Sequence, residues 1–361
     1  MTNYLLTGGG TAGHVNPLLS LADAISSADS SAKVIALGTA EGLESRLVPE
    51  RGYRLETIAK LPFPRKLTGS ALTFPFKFIR AVAAVRKLIR NEAIDVVVGF
   101  GGYASAPAYL AARLEKTPLV IHEANALPGI ANRIGARFAA KVAVAFAGTG
   151  LPNEVLTGMP LRREIEALLT KHNPSEARRS FGLEPDTFTL LVTGGSLGAK
   201  KLNDVIAQSK PVLVAAGIQV LHIVGENSDL KATREPGYVR LEYCQQMDQA
   251  IAAADFAVSR AGASTVSEFT AVGLPAVYVP YPVGNGEQIH NLKALLNAGG
   301  AEVVLDRDFT VDYVSEKLVP LLSNSKRVAQ MAAAAKSAGI SNGTELLYRL
   351  VLGVLPNRKK Q

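Results

Sequence analysis

Residues 4–14 of the chain read YLLTGGGTAGH, an apolar run that breaks into glycines and ends at a histidine. Residues 189–198, half a chain later, repeat this design as TLLVTGGSLG. A strand that runs through glycines into a helix presents backbone N–H groups, and the positive end of the helix dipole, to an anion. Two such loops predict two phosphate-bearing ligands, or one ligand at each of two lobes facing a shared cleft. That arrangement is typical of a transferase.

Apolar runs alternate with helically spaced apolar residues along the whole chain, which predicts α/β architecture with parallel sheets wrapped by helices. Strands are predicted at residues 4–7, 33–37, 95–98, 119–122, 141–145, 189–192, 220–224, 239–242, 256–259, 276–279 and 301–304. The turn that begins at Gly158 predicts a boundary at which the chain passes from a first domain, residues 1–157, to a second, residues 158–342. A last helix is predicted at residues 343–355.

The composition is that of a globular protein with room for two cores. The chain has 361 residues, 48% of them hydrophobic and 19% charged. Cys244 is the single cysteine, so an internal disulfide is excluded and a reducing compartment is favoured. The N-terminus carries no basic segment followed by an apolar one, and glycines or prolines interrupt the longest uncharged stretches. We therefore expect neither a signal peptide nor a transmembrane helix.

The formal net charge of +8 is concentrated between Thr57 and Asn91, a segment without acidic residues. Its basic residues are Lys60, Arg65, Lys66, Lys77, Arg80, Arg86, Lys87 and Arg90. Apolar side chains, among them Phe76 and Ile79, lie between these cations. That mixture favours contact with an anionic membrane surface over a nucleic-acid partner. A solvated surface, or a buried amphipathic helix, is the alternative.

The first loop matches the dinucleotide fingerprint Gly8-x-Gly10-x-x-Gly13. The second predicted strand nevertheless ends at Leu37 without an acidic residue to hold a ribose, which disfavours a nicotinamide dehydrogenase. His14 opens the following helix, where the dipole favours a neutral imidazole that can accept a proton. A histidine that only bonds its own helix start is the alternative.

Three further motifs leave their interpretation open. The second loop lacks the Lys-Ser/Thr ending of a P-loop, which favours phosphate binding without a Mg-ATP mechanism. Thr265 and Glu268 fit a capping box, but Glu268 fits a ribose ligand equally well. His122 and Glu123 follow a predicted strand at the edge where open parallel sheets bind ligands, unless they form a structural pair bonded to each other. No zinc or calcium pattern is present in the sequence.

These motifs, in order along almost the whole chain, resemble those of the MurG family of bacterial N-acetylglucosaminyltransferases. The matching motifs are GGGTAGH at 8–14, GGY at 101–103, HEAN at 122–125, GGSLG at 194–198, SRAGASTVSE at 259–268 and QIHN at 288–291. The resemblance implies a GT-B fold, in which two Rossmann-like domains with parallel sheets face a central cleft. It also implies that the helix at 343–355 packs back on the first domain.

The resemblance implies a hexosyltransferase that moves GlcNAc from UDP-GlcNAc to the C4 hydroxyl of MurNAc in undecaprenyl-pyrophosphoryl-MurNAc-pentapeptide (lipid I). The product is lipid II, made with inversion, for peptidoglycan synthesis and thus for cell wall biogenesis, cell shape and cell division. The implied location is peripheral, on the cytoplasmic side of the cell membrane, with no nucleic-acid partner.

The resemblance further assigns roles to individual residues. His14 is the implied catalytic base. The implied donor-binding residues are Thr11, Ala12, Gly13, Asn125, Arg162, Ser196, Cys244, Ala263, Ser264, Thr265, Val266, Ser267, Glu268 and Gln288. The implied acceptor-side residues are Gly102, Tyr103, His122 and Glu123. No metal or cofactor is implied, since helix ends and side chains would stabilise the departing UDP.

Three rival functions remain at this point. The nearest is another GT-B protein, such as a glycolipid or natural-product glycosyltransferase or a UDP-sugar 2-epimerase. The second is a regulator that binds a nucleotide sugar without turnover. The third is a nicotinamide dehydrogenase.

Overall fold

The computed structural model describes residues 1–63, 69–283 and 286–355. Two compact units are formed, one by Met1–Arg162 together with the chain from Asn342 onward, the other by Arg163–Ser341. Each unit is a mainly parallel sheet with helices packed against it, so the predicted α/β class is confirmed. Arg65 and Lys66 of the basic segment lie outside the described residues.

The first unit contains a seven-stranded sheet in which all strands are parallel. Its strands are β1 (Asn3–Thr7), β2 (Lys33–Gly38), β3 (Arg54–Thr57), β4 (Val96–Gly99), β5 (Leu119–Glu123), β6 (Lys141–Val144) and β7 (Glu154–Leu156). The strand order is β3-β2-β1-β4-β5-β6-β7. The order reverses between β1 and β4, the place where ligands bind in doubly wound sheets.

Helices cover both faces of this sheet because its strands are apolar on both sides. The helices are α1 (Ala12–Ala28), α2 (Glu44–Glu50), α3 (Gly69–Asn91), α4 (Ser105–Glu115) and α5 (Ile130–Gly135). Successive residues of β1 point to opposite faces, so Leu6 packs into the core that contains α1, whereas Leu5 packs into the core that contains α3 and α4. The chain returns to the first unit at its C-terminal end, where Leu347 and Val351 join the α1 core.

The second unit repeats the order of the first six strands and adds one antiparallel strand at an edge of the sheet. Its strands are β8 (Thr189–Thr193), β9 (Gln219–Ile223), β10 (Thr233–Glu235), β11 (Tyr238–Leu241), β12 (Phe256–Ser259), β13 (Ala276–Tyr278) and β14 (Ala301–Val303). They are arranged as β10-β11-β9-β8-β12-β13-β14, with β10 antiparallel to β11 and the others parallel. The order here reverses between β8 and β12.

The remaining helices belong mainly to the second unit. They are α6 (Arg163–Leu168), α7 (Pro174–Phe181), α8 (Lys200–Ala215), α9 (Met247–Ala253), α10 (Ala263–Val272), α11 (Glu287–Asn291), α12 (Lys293–Ala298), α13 (Val311–Tyr313), α14 (Val319–Ser323) and α15 (Ser325–Ala338). A π-helical turn (Val314–Leu318) joins α13 to α14, and α16 (Gly343–Leu352) is the helix that packs on the first unit. Within the described ranges, no helix combines the length and the apolarity needed to cross a membrane.

Candidate active site

Two glycine loops meet at the switch point of the first unit. Residues 8–14 follow β1, and the loop that contains Gly102 follows β4. Gly102 has φ +90°, and a Cβ there would lie 2.5 Å from the carbonyl oxygen of Gly9. Only glycine fits such a close approach of two backbones. The sequence therefore brings these two loops into direct contact at one edge of the sheet.

His14 lies in the first turn of α1, and its proton position follows from its partners. The Nδ1 atom is 3.0 Å from the carbonyl oxygen of Gly9 and 3.3 Å from Oγ1 of Thr11. A carbonyl oxygen only accepts, so in this geometry Nδ1 carries the proton of the neutral ring and Nε2 its lone pair. A Cβ at Gly101 would lie 3.3 Å from Nε2, so the glycine leaves room beside the ring. His14 therefore bonds its own helix start through Nδ1, and its Nε2 remains available as a base.

The start of α1 also offers free backbone donors. Thr11 is the N-cap residue and forms no side-chain cap bond. Among the residues that the structure describes, the N–H groups of Ala12 and Gly13 have no hydrogen-bond partner. This agrees with an anion at the helix N-terminus.

Glu44, the first residue of α2, bonds this loop and was not identified from the sequence. Its Oε2 accepts the N–H of Gly10 at 2.7 Å, and its Oε1 accepts the N–H and the hydroxyl of Thr39, both at 2.8 Å. The Gly10 N–H is therefore bonded within the protein. Nothing in the local sequence distinguishes Glu44 from an ordinary surface glutamate.

His122 and Glu123 do not bond each other, so the paired interpretation is wrong. His122 is fully buried, and its Nε2 donates to the carbonyl oxygen of Gly158 at 3.0 Å. Burial, with a smaller contribution from His14, lowers the pKa of His122 to about 4, so the ring is neutral near pH 7. The two residues thus belong to the interior of the first unit.

Glu123 organises the loop that carries Asn125. Its carboxylate accepts the N–H groups of Asn125 and Gly129 at 2.9 and 3.0 Å, and the side-chain amide of Asn132 at 2.9 Å. Asn132 in turn accepts the Tyr109 hydroxyl at 2.7 Å. Asn125 is partly buried on this loop.

Tyr103 is the exposed member of the predicted acceptor set. The ammonium group of Lys60 lies 5.5 Å from the centre of its ring, within cation–π range. The pair places a positive charge beside the loop that follows β4.

In the second unit, the loop at residues 194–198 follows β8 at the switch point. The Gly195 N–H donates to Oγ1 of Thr193 at 3.3 Å, and the Gly198 N–H donates to the Gly195 carbonyl at 3.0 Å. The amides of Ser196 and Leu197 have no partner within the described part of the chain. They remain available to an anion.

Helix α10 begins beside this loop, after β12, and its start excludes the capping box. The N-cap is Gly262, which provides no side-chain bond, and Thr265 is the third residue of the helix instead of its cap. Glu268 is 8% exposed and lies in the second turn. The hydroxyl of Ser264 is buried and has no protein partner among the described residues. The helix start thus carries uncapped amides and an unused hydroxyl.

Gln288 has its side-chain orientation fixed by the backbone. Its Oε1 accepts the N–H groups of Ala261 and Tyr281 at 3.1 and 2.9 Å, which leaves the Nε2 group as a donor. Arg260, which no site prediction included, anchors this region through an ion pair with Asp306 at 2.6 Å and a bond to the Val279 carbonyl at 3.0 Å. An arginine directly after a buried strand was the available sequence signal.

The other predicted donor residues have the following places. Ala263, Val266 and Ser267 are buried in α10, and Cys244 is partly buried after β11. Arg162 is partly buried at the end of the first unit, which also holds Thr11, Ala12, Gly13 and Asn125.

A cavity of about 140 Å³ opens beside α8, but it does not coincide with the predicted donor residues. Its lining comprises Leu197, Gly198, Ala199, Lys200, Asn203, Asp204, Asn227, Ser228, Asp229 and Leu230. In the described ranges, no group of three or more His, Cys, Asp or Glu side chains is placed to hold a metal ion.

Both halves of the chain match family models. Residues 4–144 match the glycosyltransferase family 28 N-terminal domain, and residues 189–347 match the glycosyltransferase family 28 C-terminal domain. With two doubly wound sheets, these matches define a glycosyltransferase of GT-B fold, as expected from the sequence. The chain belongs to glycosyltransferase family 28.

Curated relatives share one name, UDP-N-acetylglucosamine--N-acetylmuramyl-(pentapeptide) pyrophosphoryl-undecaprenol N-acetylglucosamine transferase. The protein of that name from Leifsonia xyli subsp. xyli is 54% identical over 97% of this chain and 98% of its own length. The one from Streptomyces coelicolor is 45% identical over 99% of this chain and 100% of its own. Among solved structures, Acinetobacter baumannii MurG superposes with a TM-score of 0.78 at 26% identity, over 98% of this chain and 100% of that one.

Proposed function

We propose that this protein transfers GlcNAc from UDP-GlcNAc to the C4 hydroxyl of the MurNAc in lipid I, forming lipid II for peptidoglycan synthesis. The observation that carries the proposal is the 54% identity, over 97% of the chain, to a relative named for this transfer. The enzyme is a hexosyltransferase of family 28.

The reaction needs a base on the acceptor hydroxyl and a stabilised leaving group. Nε2 of His14 takes the proton of the C4 hydroxyl, and the oxygen attacks the anomeric carbon of GlcNAc with inversion. The bond from that carbon to the diphosphate oxygen breaks, and its electron pair leaves with UDP. The developing charge is stabilised by backbone N–H groups at Ser196 and at the start of α10, since preorganised donors act where charge develops.

Donor binding is assigned chiefly to residues 158–342. The carboxylate of Glu268 accepts the ribose hydroxyls, and Nε2 of Gln288 donates to the sugar. Residues around Cys244 contact the uracil through their backbone. Residues 1–157, with the helix at 343–355, bind the acceptor, and Tyr103 with Lys60 lies beside its pyrophosphate.

Membrane contact is assigned to the segment between Thr57 and Asn91, on the cytoplasmic side of the cell membrane. In α3, Phe76 is 78% exposed and Ile79 is 65% exposed, next to exposed Lys77 and Arg80. Large exposed apolar side chains beside cations support an anionic lipid surface as the partner. A polyprenyl acceptor requires an enzyme that works at such a surface.

An acceptor panel tests the proposed function against its nearest rivals. Purified protein receives UDP-GlcNAc with a lipid I analogue, with a glycolipid that lacks MurNAc, or alone, and UDP release and free sugar products are separated by chromatography. We expect UDP release with the lipid I analogue only. Release with the other glycolipid would favour a different glycosyltransferase, free N-acetylmannosamine would favour a 2-epimerase, and UDP-GlcNAc binding without turnover would favour a regulator.

A further inference from the structure

The peptide group that joins Gly9 to Gly10 is bonded at both ends. Its N–H donates to Oε2 of Glu44 at 2.7 Å, and its carbonyl oxygen accepts Nδ1–H of His14, with 3.0 Å between the heavy atoms. Glu44 and His14 are therefore connected through one peptide group, although no direct bond joins them.

The surroundings of Glu44 are built to hold a charged carboxylate in this place. Glu44 is 1% exposed, and a Cβ at Gly9, Gly38 or Gly42 would collide with its side chain. Three glycines thus leave the volume that the carboxylate occupies. Among the described residues its partners are the donors of Gly10 and Thr39 together with its own backbone N–H. Burial opposes its ionisation, but these hydrogen bonds outweigh burial and hold the pKa of Glu44 below its usual range.

We propose that Glu44 is a positioning residue that acts on His14 through the Gly9–Gly10 peptide group. The carboxylate polarises the peptide, because hydrogen bonds in a chain strengthen one another. A more negative Gly9 carbonyl oxygen holds the proton on Nδ1 of His14 more firmly. This fixes the ring in the tautomer whose Nε2 is basic, and it stabilises the imidazolium once Nε2 has taken the acceptor's proton.

The inference deepens the base role proposed for His14 and rests on it. In hydrolases with a Ser-His-Asp triad, a carboxylate bonded directly to the histidine keeps the correct tautomer, and its loss costs about 10⁴-fold in kcat. A neutral peptide between the two groups weakens the effect. We therefore expect that Glu44→Gln lowers kcat about tenfold to a hundredfold, the range typical of outer-shell hydrogen-bond partners of metal-bound histidines, with little change in the KM for UDP-GlcNAc.

The direct test is the tautomer of His14, observed by long-range ¹H–¹⁵N NMR on protein labelled at its five histidines. The His14→Asn spectrum assigns the signal. In the wild type we expect a neutral ring protonated at Nδ1, and in Glu44→Gln a shift toward the Nε2-protonated form. This readout needs no substrate, so it separates a failure of the relay from a failure of the proposed transfer.

Tyr53→Phe is the matched control, because it removes the bond from the Tyr53 hydroxyl to Asp23 in the same unit and leaves the loop intact. It should lower thermal stability without moving the His14 signal. Should Glu44→Gln fail to fold, the wild-type spectrum still decides, since a ring protonated at Nε2 overturns the relay. An unchanged tautomer in folded Glu44→Gln overturns it as well, even if kcat falls.

Discussion

At the scale of single residues, His14 has one nitrogen committed to the protein and one left for chemistry. The Nδ1 atom bonds the Gly9 carbonyl, and Gly101 leaves space beside Nε2. We predict that His14→Ala lowers kcat about 10²- to 10⁴-fold, the usual contribution of a general base, with little loss of donor binding. Steady-state kinetics with a lipid I analogue measures this.

The control is His172→Ala, which removes a histidine bonded to the Ala252 carbonyl in the second unit. It should retain near wild-type turnover. If His14→Ala retained it too, His14 would have a structural role only.

The lowered pKa of His122 predicts that the folded protein loses stability as the pH falls. Its pKa is about 4 in the folded protein, mainly because burial disfavours the charged ring, against 6.5 ordinarily. The unfolded chain therefore binds a proton at higher pH than the folded one, and stability is lost as pH falls from about 6.5 to about 4. The loss should reach roughly 3 kcal/mol.

Urea unfolding between pH 7 and pH 4.5 measures this, with His122→Gln as the control because glutamine can still donate to Gly158 but does not titrate. His222, whose pKa burial lowers to about 3, adds a loss of the same sign to both proteins. The variant should be less sensitive to acid, and parallel pH dependence of the two proteins would contradict the prediction.

At the scale of elements, two pairs of basic residues in α3 differ in their surroundings. Arg86 and Arg90 bind Glu115 at 2.6 and 2.7 Å, whereas Lys77 and Arg80 lie exposed beside Phe76. We predict that Lys77→Glu with Arg80→Glu weakens binding to vesicles of anionic lipid by about tenfold or more, since each basic residue near such a surface contributes about 1 kcal/mol.

Lys317→Glu with Lys326→Glu on the second unit makes the same change in net charge and serves as the control. Co-sedimentation at two salt concentrations measures both. Equal loss in the two double variants would mean that net charge alone, and not the α3 surface, determines binding.

The way in which helix α10 begins leads to a prediction about binding of the sugar donor. Its N-cap is Gly262, so Glu268 does not cap the helix, and its substitution should not cost cap stability. We predict that Glu268→Gln weakens UDP binding by about tenfold, the cost of a good charged hydrogen bond, with a small change in Tm. Calorimetric titration with UDP and thermal unfolding measure the two quantities. A fall in Tm with intact UDP affinity would assign Glu268 to the helix fold.

All eleven predicted strands are present; most are buried on both faces and have continuous apolar sequences, although β14 is a partly exposed edge strand. The missed strands β3, β7 and β10 lie at sheet edges, where polar residues such as Arg54, Glu154 and Arg234 interrupt the pattern. These strands form because each pairs with a neighbouring strand, and no local sequence pattern indicates that pairing.

The residues of the candidate site likewise include some that the local sequence indicates and some that it does not. The glycine loops and His14 are local signals and could be found in the sequence. Glu44 could not be found, because its partner Gly10 is 34 residues away and only the folded sheet brings them together. The capping-box pattern at Thr265 was also undecidable, since the choice depends on where α10 begins.

At the scale of the whole molecule, the two units share the order of six parallel strands, and each has a glycine loop at its switch point. This repetition, with the family match over both halves, supports an enzyme that handles two phosphate-bearing substrates. We therefore expect a single purified chain, without a second protein, to join donor sugar to lipid-linked acceptor.

The most direct measurement is label transfer from UDP-[¹⁴C]GlcNAc to a lipid I analogue, followed by release and linkage analysis of the sugar. We predict that ¹⁴C enters the lipid fraction as a β1,4-linked GlcNAc–MurNAc disaccharide, with one UDP released for each disaccharide. Protein that binds UDP-GlcNAc but leaves the lipid fraction unlabelled would contradict it.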